Sequence, residues 1–410
     1  MNRKFFNNVL KVLMSNMLII ISGVVSGFIL PKLLGVTDYG FYKIFNLYIT
    51  YVVFFDIGIS NGVYLFYGGY EVDKLPKEKF RLYSSILFKI QFLAMIVLII
   101  IAITIMKDEY KFIFIMVGIY AFSNNIATYF EKISIMTGEF NAIVRRNVLK
   151  SILTVVIVFF LWLFIRTGIP VAYFKVYTVL FVILYTILAL QYVIHYRKLI
   201  LGEKTTLSKE QKKELIQIIK SGFLLLLADM VANLILTLDR QFISFLYDID
   251  IYSIYSFAYS MLRIVILAIS PIASVLYPTL KQMPEKKMKE SYGFSVAAVG
   301  MVSFGCLLVY YPLCIFVGWF LPNYANSLPI FRVLFPSITI SSIISMIMIN
   351  HFKALQKQNK YFVYSIIVLV ISAILNTIAY LLTYKPISLS IASLFTMLFL
   401  VRDIESIFSN

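Results

Sequence analysis

The sequence predicts an all-α polytopic membrane protein, with twelve transmembrane helices in two six-helix bundles related by a pseudo-twofold along the membrane normal. Three observations predict it. The 410-residue chain is 61% hydrophobic and 14% charged. A soluble globular chain is roughly 45–50% apolar and about 25% charged, so polar surface is too scarce here to cover a body in water. No charged residue occurs between Lys11 and Lys32, and about 20 apolar residues suffice to cross a bilayer core. Comparable runs recur along the chain, and their number divides evenly in two.

Taken in order, the apolar runs and their breakers place spans at 9–31, 41–68, 83–106, 112–138, 148–166 and 170–194. A second set follows at 216–245, 252–279, 292–320, 329–350, 361–383 and 386–408. Arg3 and Lys4 before the first run suggest a secretory signal. That run exceeds a signal's apolar stretch and no A-x-A site follows it, so it reads as a retained helix. Pro31, Gly35 and Gly40 make 31–40 the short turn of the first hairpin, with Tyr39 and Tyr42 at the membrane interface. The runs at 41–68 and 216–245 are longer than a bilayer needs, which predicts tilt or extension beyond it. The basic segment 196–220 joins the halves. Ser208 with Gln211 is a capping box, and Leu215, Ile218 and Ile219 form an apolar face, so an interfacial helix leading into span seven is expected; a solvated loop is the alternative. Pro271 and Pro278 predict a kink in span eight.

Alternating the connections assigns about 27 of the 37 Lys and Arg to one side and about nine to the other. The basic side of a membrane protein is cytoplasmic, so both termini are expected there. The net charge of +17 follows from this asymmetry, and attraction to anionic lipid headgroups comes with it, whereas nucleic acid is not an expected partner.

A shift of 213 residues lays Ser15-Asn16-Met17 on Ala228-Asp229-Met230, and Tyr39 and Tyr42 on Tyr252 and Tyr255. An even number of spans per half returns the chain to its starting side, so the halves, 1–202 and 203–410, share one topology.

Several chemistries are missing. There is no phosphate-binding G-x-x-x-x-G-K-[ST], no G-x-S-x-G, and no connection long enough for a catalytic domain. Cys306 and Cys314 lie inside an apolar run, and His195 and His351 are far apart at span ends, where they read as interfacial polar residues. No catalytic residue, metal ligand or cofactor is expected. A two-lobed bundle with a substrate-sized interior remains: a secondary transporter or flippase rather than an enzyme.

Ionisable groups deep in a bilayer are costly and face a cavity or a partner. Arg263 lies about 16 Å along its helix from Tyr252, too deep to reach either surface, and is expected to face a cavity or to form a structural ion pair. Asp56, Asp229 and Asp239 are candidate substrate-binding or coupling carboxylates, or simple partners of basic neighbours. Arg240 and Lys43 are candidate cationic contacts or interfacial anchors. Asn16 is polar inside span one, and Asn124 and Asn125 can bond neighbouring helices. Gly23-x-x-x-Gly27, overlapped by Ser22 and Ser26, gives span one a face for close packing.

These residues resemble the oligosaccharide flippases of bacterial polysaccharide assembly, within the multidrug/oligosaccharidyl-lipid/polysaccharide exporter superfamily. The resemblance rests on span one running into PKLLGVTDYGFYK, on FFDIGISNGV at 54–63 and on MTGEFNAIVRRN at 136–147. LTLDRQFIS at 236–244 and YSIYSFAYSMLRIV at 252–265 extend it into the second half. It implies a V-shaped pair of bundles and a central cavity lined by spans one, two, seven and eight. It also implies an undecaprenyl-pyrophosphate-linked oligosaccharide as cargo, moved across a bacterial inner membrane, with polysaccharide polymerase machinery as a partner. The pyrophosphate-binding role then falls on Arg263, with Arg240 and Lys43 behind it. Relatives carry a proline near the start of span seven, where SGFLLLL at 221–227 has none. A cation-coupled multidrug exporter of the same superfamily is the alternative.

Overall fold

The computed structural model describes residues 3–202, 209–269, 284–348, 351 and 358–409. Ser208, Pro271 and Pro278, and with them the capping box and the proline kink, lie outside the described residues. The longer helices are α1 (Arg3–Ile49), α2 (Ile59–Phe66), α3 (Lys77–Thr104), α4 (Asp108–Thr137), α5 (Phe140–Arg166) and α6 (Tyr173–His195), followed by a single turn, α7 (Arg197–Ile200). Then come α8 (Lys209–Leu246), α9 (Ile249–Ile269), α10 (Glu285–Gly305), α11 (Tyr310–Phe320), α12 (Leu328–Leu334), α13 (Ser337–Ser342), α14 (Gln358–Thr383) and α15 (Pro386–Ser409). No strand occurs among the described residues.

Eight of the described helices are long and apolar enough to cross a membrane, or ten if each of two bent pairs is one span; Pro386–Val401 is a shorter apolar helix. The protein is therefore a multi-pass helical membrane protein, although the expected twelve spans are not all counted among the described residues. The first of the eight, Leu10–Asp56, holds nearly all of the first expected span, 9–31, and the first part, 41–56, of the second, 41–68. At 1.5 Å per residue its 47 residues would reach about 70 Å, more than twice a hydrocarbon core of about 30 Å. It breaks at Gly35, whose φ of 72° and ψ of −178° belong to a region essentially closed to other residues. The expected ten-residue turn is thus one glycine, and helix continues through Pro31 and Gly40. Tyr39 and Tyr42 are buried in the protein, at 1% and 7% exposure.

The chain resolves into two compact units. Unit one is Met1–Ser26 with Phe41–Met230, and unit two is Gly27–Gly40 with Val231–Asn410. Each unit therefore includes one segment from the other half of the sequence: 27–40 belongs to unit two, and the first half of α8 to unit one.

In unit one α3, α4, α5 and α6 pack against one another around Phe80, Tyr83, Leu87, Tyr129, Phe130, Ile133, Tyr192 and Ile218. Phe41 stacks on Phe174 and Gly69 N–H donates to Met136 O at 3.0 Å, so the chain from 41 to 69 runs from one end of the unit to the other. Ser15 and Asn16 meet Asn147 near the second of these ends, so the first 26 residues run the opposite way. That second end gathers Lys74, Lys77, Lys79, Arg81, Arg145, Arg146, Arg197 and Lys198. The basic asymmetry read along the sequence becomes a basic end of one folded body.

In unit two the segment 27–40 packs on α9 and on the turn at 322–327. Gly27 faces the tip of the Ile264 side chain, which would have to shift for a Cβ, and Gly40 faces Ile249 O, a backbone atom that leaves no room for one. Tyr324 Oη donates to Gly35 O at 2.9 Å, and its ring sits 4.6 Å from Phe257 and 5.7 Å from Tyr39. Thr37 Oγ1 donates to Asp250 Oδ1 at 2.7 Å across 213 positions, the same offset that aligns Tyr39 with Tyr252. Gly23 has nothing near its missing Cβ, so only the Gly27 half of that small face is used here for packing.

Candidate functional site

The expected single long helix over 41–68 is broken at mid-depth. Helix α1 ends at Ile49, a 3-10 turn covers Val52–Asp56, Ile57 and Gly58 take left-handed conformations, and α2 restarts at Ile59. A break frees backbone carbonyls, which is tolerated at membrane depth only where protein or a cavity satisfies them. Gln91 of α3 donates to Phe55 O at 2.7 Å, and Asn125 of α4 donates to Val52 O at 2.8 Å and to Gln91 Oε1 at 2.8 Å. Gln91 is residue 15 of a 28-residue helix, and Asn125 is residue 18 of a 30-residue helix. An apolar cavity of about 210 Å3 adjoins the break, lined by Tyr48, Tyr51, Phe54, Phe55, Phe114 and Met230 among others.

Asp56 closes this break. It is 4% exposed, and its carboxylate accepts from both Ser60 N and Ser60 Oγ. The carboxylate thus satisfies an orphan N–H in the first turn of α2. Asn16 is half-buried and accepts from Asn147 Nδ2 at 2.8 Å, which also reaches Ser15 Oγ. Beside Asn147, Arg146 Nη1 lies 3.1 Å from Glu131 Oε1. The Lys43 ammonium stands 5.8 Å from the Tyr42 ring centre, and Asp229 is half-buried on α8. These residues all belong to unit one.

Unit two holds the other three candidates. Asp239 is 1% exposed, and its Oδ2 accepts from both Tyr255 Oη and Tyr259 Oη, while its Oδ1 accepts from Arg240 N at 2.7 Å. The Arg240 guanidinium does not pair with that carboxylate. It donates to Leu236 O at 3.0 Å and lies over the Tyr259 ring at 4.5 Å. Arg263 is exposed, while its neighbours Met261, Leu262 and Val265 are buried.

The fold supplies partners whose pairing no local signal gave. Gln91 was not singled out in the sequence, and Asn147, Tyr255 and Tyr259 appeared only within motifs or the repeat, with nothing in those stretches tying them to Asn16 or Asp239. Gly58-x-x-x-Gly62 was legible, having the spacing of Gly23 and Gly27. Both glycines press on the first half of α8: a Cβ at Gly62 would stand 2.1 Å from Ile218 O, and one at Gly222 would stand 1.9 Å from Gly58 O. Gly222 lies in the stretch SGFLLLL at 221–227, at the point of closest backbone approach between α8 and α2. His351 is fully buried, with Nδ1 2.9 Å from Ile347 O.

A family model described as "Polysaccharide biosynthesis protein" matches residues 5–284. The chain belongs to this polysaccharide biosynthesis protein family. The matched region ends near the point where the sequence motifs also end. Solved structures resemble this family member along its whole length. The lipid II flippase MurJ in an inward-closed conformation is 14% identical, with a TM-score of 0.70 over 98% of this chain and 87% of that one. An inward-facing multidrug resistance MATE transporter of the MOP superfamily is 11% identical, with a TM-score of 0.64 over 100% and 95%. A MATE protein in a bent conformation is 12% identical, with a TM-score of 0.60 over 99% and 95%. At these identities the likeness is one of fold, two helical halves in a membrane. No curated protein sequence matches the chain significantly.

Proposed function

We propose that this family member is a flippase. It moves undecaprenyl-pyrophosphate-linked oligosaccharide repeat units from the cytoplasmic to the outer leaflet of a bacterial inner membrane by alternating access, with both termini cytoplasmic. The observation that supports this reading is Arg263, an exposed arginine within the apolar, largely buried stretch 252–265 of α9. A cation at that depth is costly unless a protein partner, an aqueous cavity or an anionic guest receives it. A pyrophosphate offers charge-assisted bonds to a guanidinium, while the polyprenyl tail stays in lipid. Export of an anion from a negative interior runs downhill by roughly 2.3 kcal/mol per charge per 100 mV, so no nucleotide motor is required. A polymerase consuming the product outside adds to the gradient.

Cation-coupled multidrug export needs carboxylates free to trade cations. Asp56 and Asp239 are each engaged by hydroxyl and backbone donors, which favours a structural use of both, and Arg263 repels cationic cargo. The test compares Arg263→Ala with Arg263→Lys in cells whose polymer production depends on this protein. Alanine is expected to abolish polymer at normal expression, and lysine to retain part of it. Full polymer from the alanine variant refutes the role of Arg263. Drug resistance conferred on a pump-deficient host, without polymer, refutes the flippase reading itself.

A further inference from the structure

Arg145 and Arg146 are adjacent on α5, and a helix turns about 100° per residue, so their side chains leave on different faces. Arg146 turns inward to Glu131 and Asn147. Arg145 is exposed, and its guanidinium has no hydrogen-bond or ion-pair partner among the described residues. It stands at the rim of an open cavity of about 500 Å3, lined by Arg145, Ile187, Leu190, Gln191, Ile194 and His195. That volume is within the roughly 300–1,000 Å3 of small-ligand sites.

The lining is ordered along α6, which packs beside α5. Ile187, Leu190, Gln191 and Ile194 fall at i, i+3, i+4 and i+7, so they share one face. Ile187 is the deepest, about 12 Å along the helix from His195. Ile187, Leu190 and Ile194 are 37%, 53% and 64% exposed, an apolar strip left uncovered among the described residues of unit one. Toward the basic end the lining becomes polar, with Gln191, His195 and Arg145. Gln191 Oε1 is buried and has no hydrogen-bond partner among the described residues. The groove is apolar toward mid-membrane and cationic toward the surface, the same gradient as a phospholipid. A small soluble anion would use the arginine but not the strip.

We infer that this groove is a binding site for an anionic glycerophospholipid of the leaflet at the basic end of unit one. The lipid phosphate meets Arg145, a headgroup or glycerol hydroxyl lies against the Gln191 side chain, whose amide turns to accept it, and an acyl chain lies along Ile187 and Leu190. Basic pockets between transmembrane helices at such a membrane face are suited to anionic headgroups. The site belongs to unit one alone and does not depend on what the protein transports.

The test uses the full chain in vesicles of phosphatidylethanolamine and phosphatidylglycerol, with a trace of photoactivatable phosphatidylglycerol, and maps the labelled peptides. Label is expected on 187–195 and on the start of α5. Arg145→Gln should lower that labelling at least about fivefold, Arg145→Lys should largely keep it, and Lys77→Gln, at the same end but outside the groove, should leave it unchanged. Ile194→Glu adds a repelling carboxylate at an exposed position and should lower labelling as well, a second readout should the glutamine variant fold poorly. Three outcomes overturn the proposal: undiminished labelling of both Arg145→Gln and Ile194→Glu, equal labelling by a photoactivatable phosphatidylcholine, or displacement by millimolar inorganic phosphate, which would mark a free-anion site. Displacement by undecaprenyl pyrophosphate at lower concentration than by phosphatidylglycerol would make the groove a cargo station instead.

Discussion

Two segments pack with the unit built mainly by the other half of the sequence, and they are fastened in different ways. The first half of α8 lies on α2 through glycines: Gly222 against Gly58 and Gly62, and Gly62 against Ile218, backbone on backbone. At its start Glu214 pairs with Lys79 and accepts from Tyr67 Oη at 2.7 Å and Tyr83 Oη at 3.3 Å. The segment 27–40 is held in unit two chiefly by rings and hydroxyls: Tyr39, Tyr324 and Phe257 pack edge to face or tilted, and Thr37 and Tyr324 supply hydrogen bonds. A glycine crossing is a steric fit that one methyl group can abolish. An aromatic and hydroxyl joint is a sum of modest contacts that weakens by degrees. The two joints should therefore fail differently when altered.

The largest effect is expected from Gly222→Ala. Its Cβ meets Gly58 O and Gly62 backbone atoms, none of which can rotate away, so α8 must leave α2. Overpacking of this kind costs roughly 1–3 kcal/mol. Loss of polymer production and a lowered melting temperature are expected, whereas Gly300→Ala, with open space around its Cβ, should be silent. If Gly222→Ala behaves like Gly300→Ala, the crossing is not the tight joint described.

A middle-sized effect is expected from Tyr324→Phe. The rings stay packed, but the bonds to Gly35 O and Pro31 O are lost, leaving carbonyls at the helix break unmet at a cost of roughly 1–3 kcal/mol. Melting temperature should fall while expression is retained. Tyr324→Leu, which removes the ring as well, should fall further; equal losses would show that the hydroxyl alone matters.

The smallest effect is expected from Glu214→Gln. Both Lys79 and Glu214 are about a quarter to a third exposed, so screening limits the pair to roughly 0.2–1 kcal/mol, and the tyrosine hydroxyls retain an acceptor. The difference from the unaltered protein should shrink further in high salt. A salt-independent difference would mean that burial of the glutamate, not charge pairing, sets its contribution.

Much of the architecture was readable before any coordinates. Span one is charge-free, basic residues cluster on alternate connections, and the composition excludes a soluble body, because membrane insertion is decided by the local polarity of each run. The broken second span was not readable in this way. FFDIGISNGV carries the glycines and Asp56, but the same letters fit a continuous tilted helix. The break is stable only because Gln91 and Asn125, tens of residues away, meet its carbonyls. The candidate charges show the same divide. That Asp239 and Arg263 were costly followed from hydropathy. That Asp239 is engaged by two tyrosine hydroxyls while Arg263 is exposed depended on which helix faces met.

Local polarity and length tell a run of residues that it will span a membrane, and this chain declares that in its letters. Which unit a span joins, and whether a charged side chain is buried or exposed, rests on partners that are distant in sequence. For 27–40 and the start of α8, contacts with Tyr324, Ile249, Gly58 and Gly62 outweigh the covalent neighbourhood. Packing is a property of surfaces in contact, and no single stretch of the chain contains both surfaces.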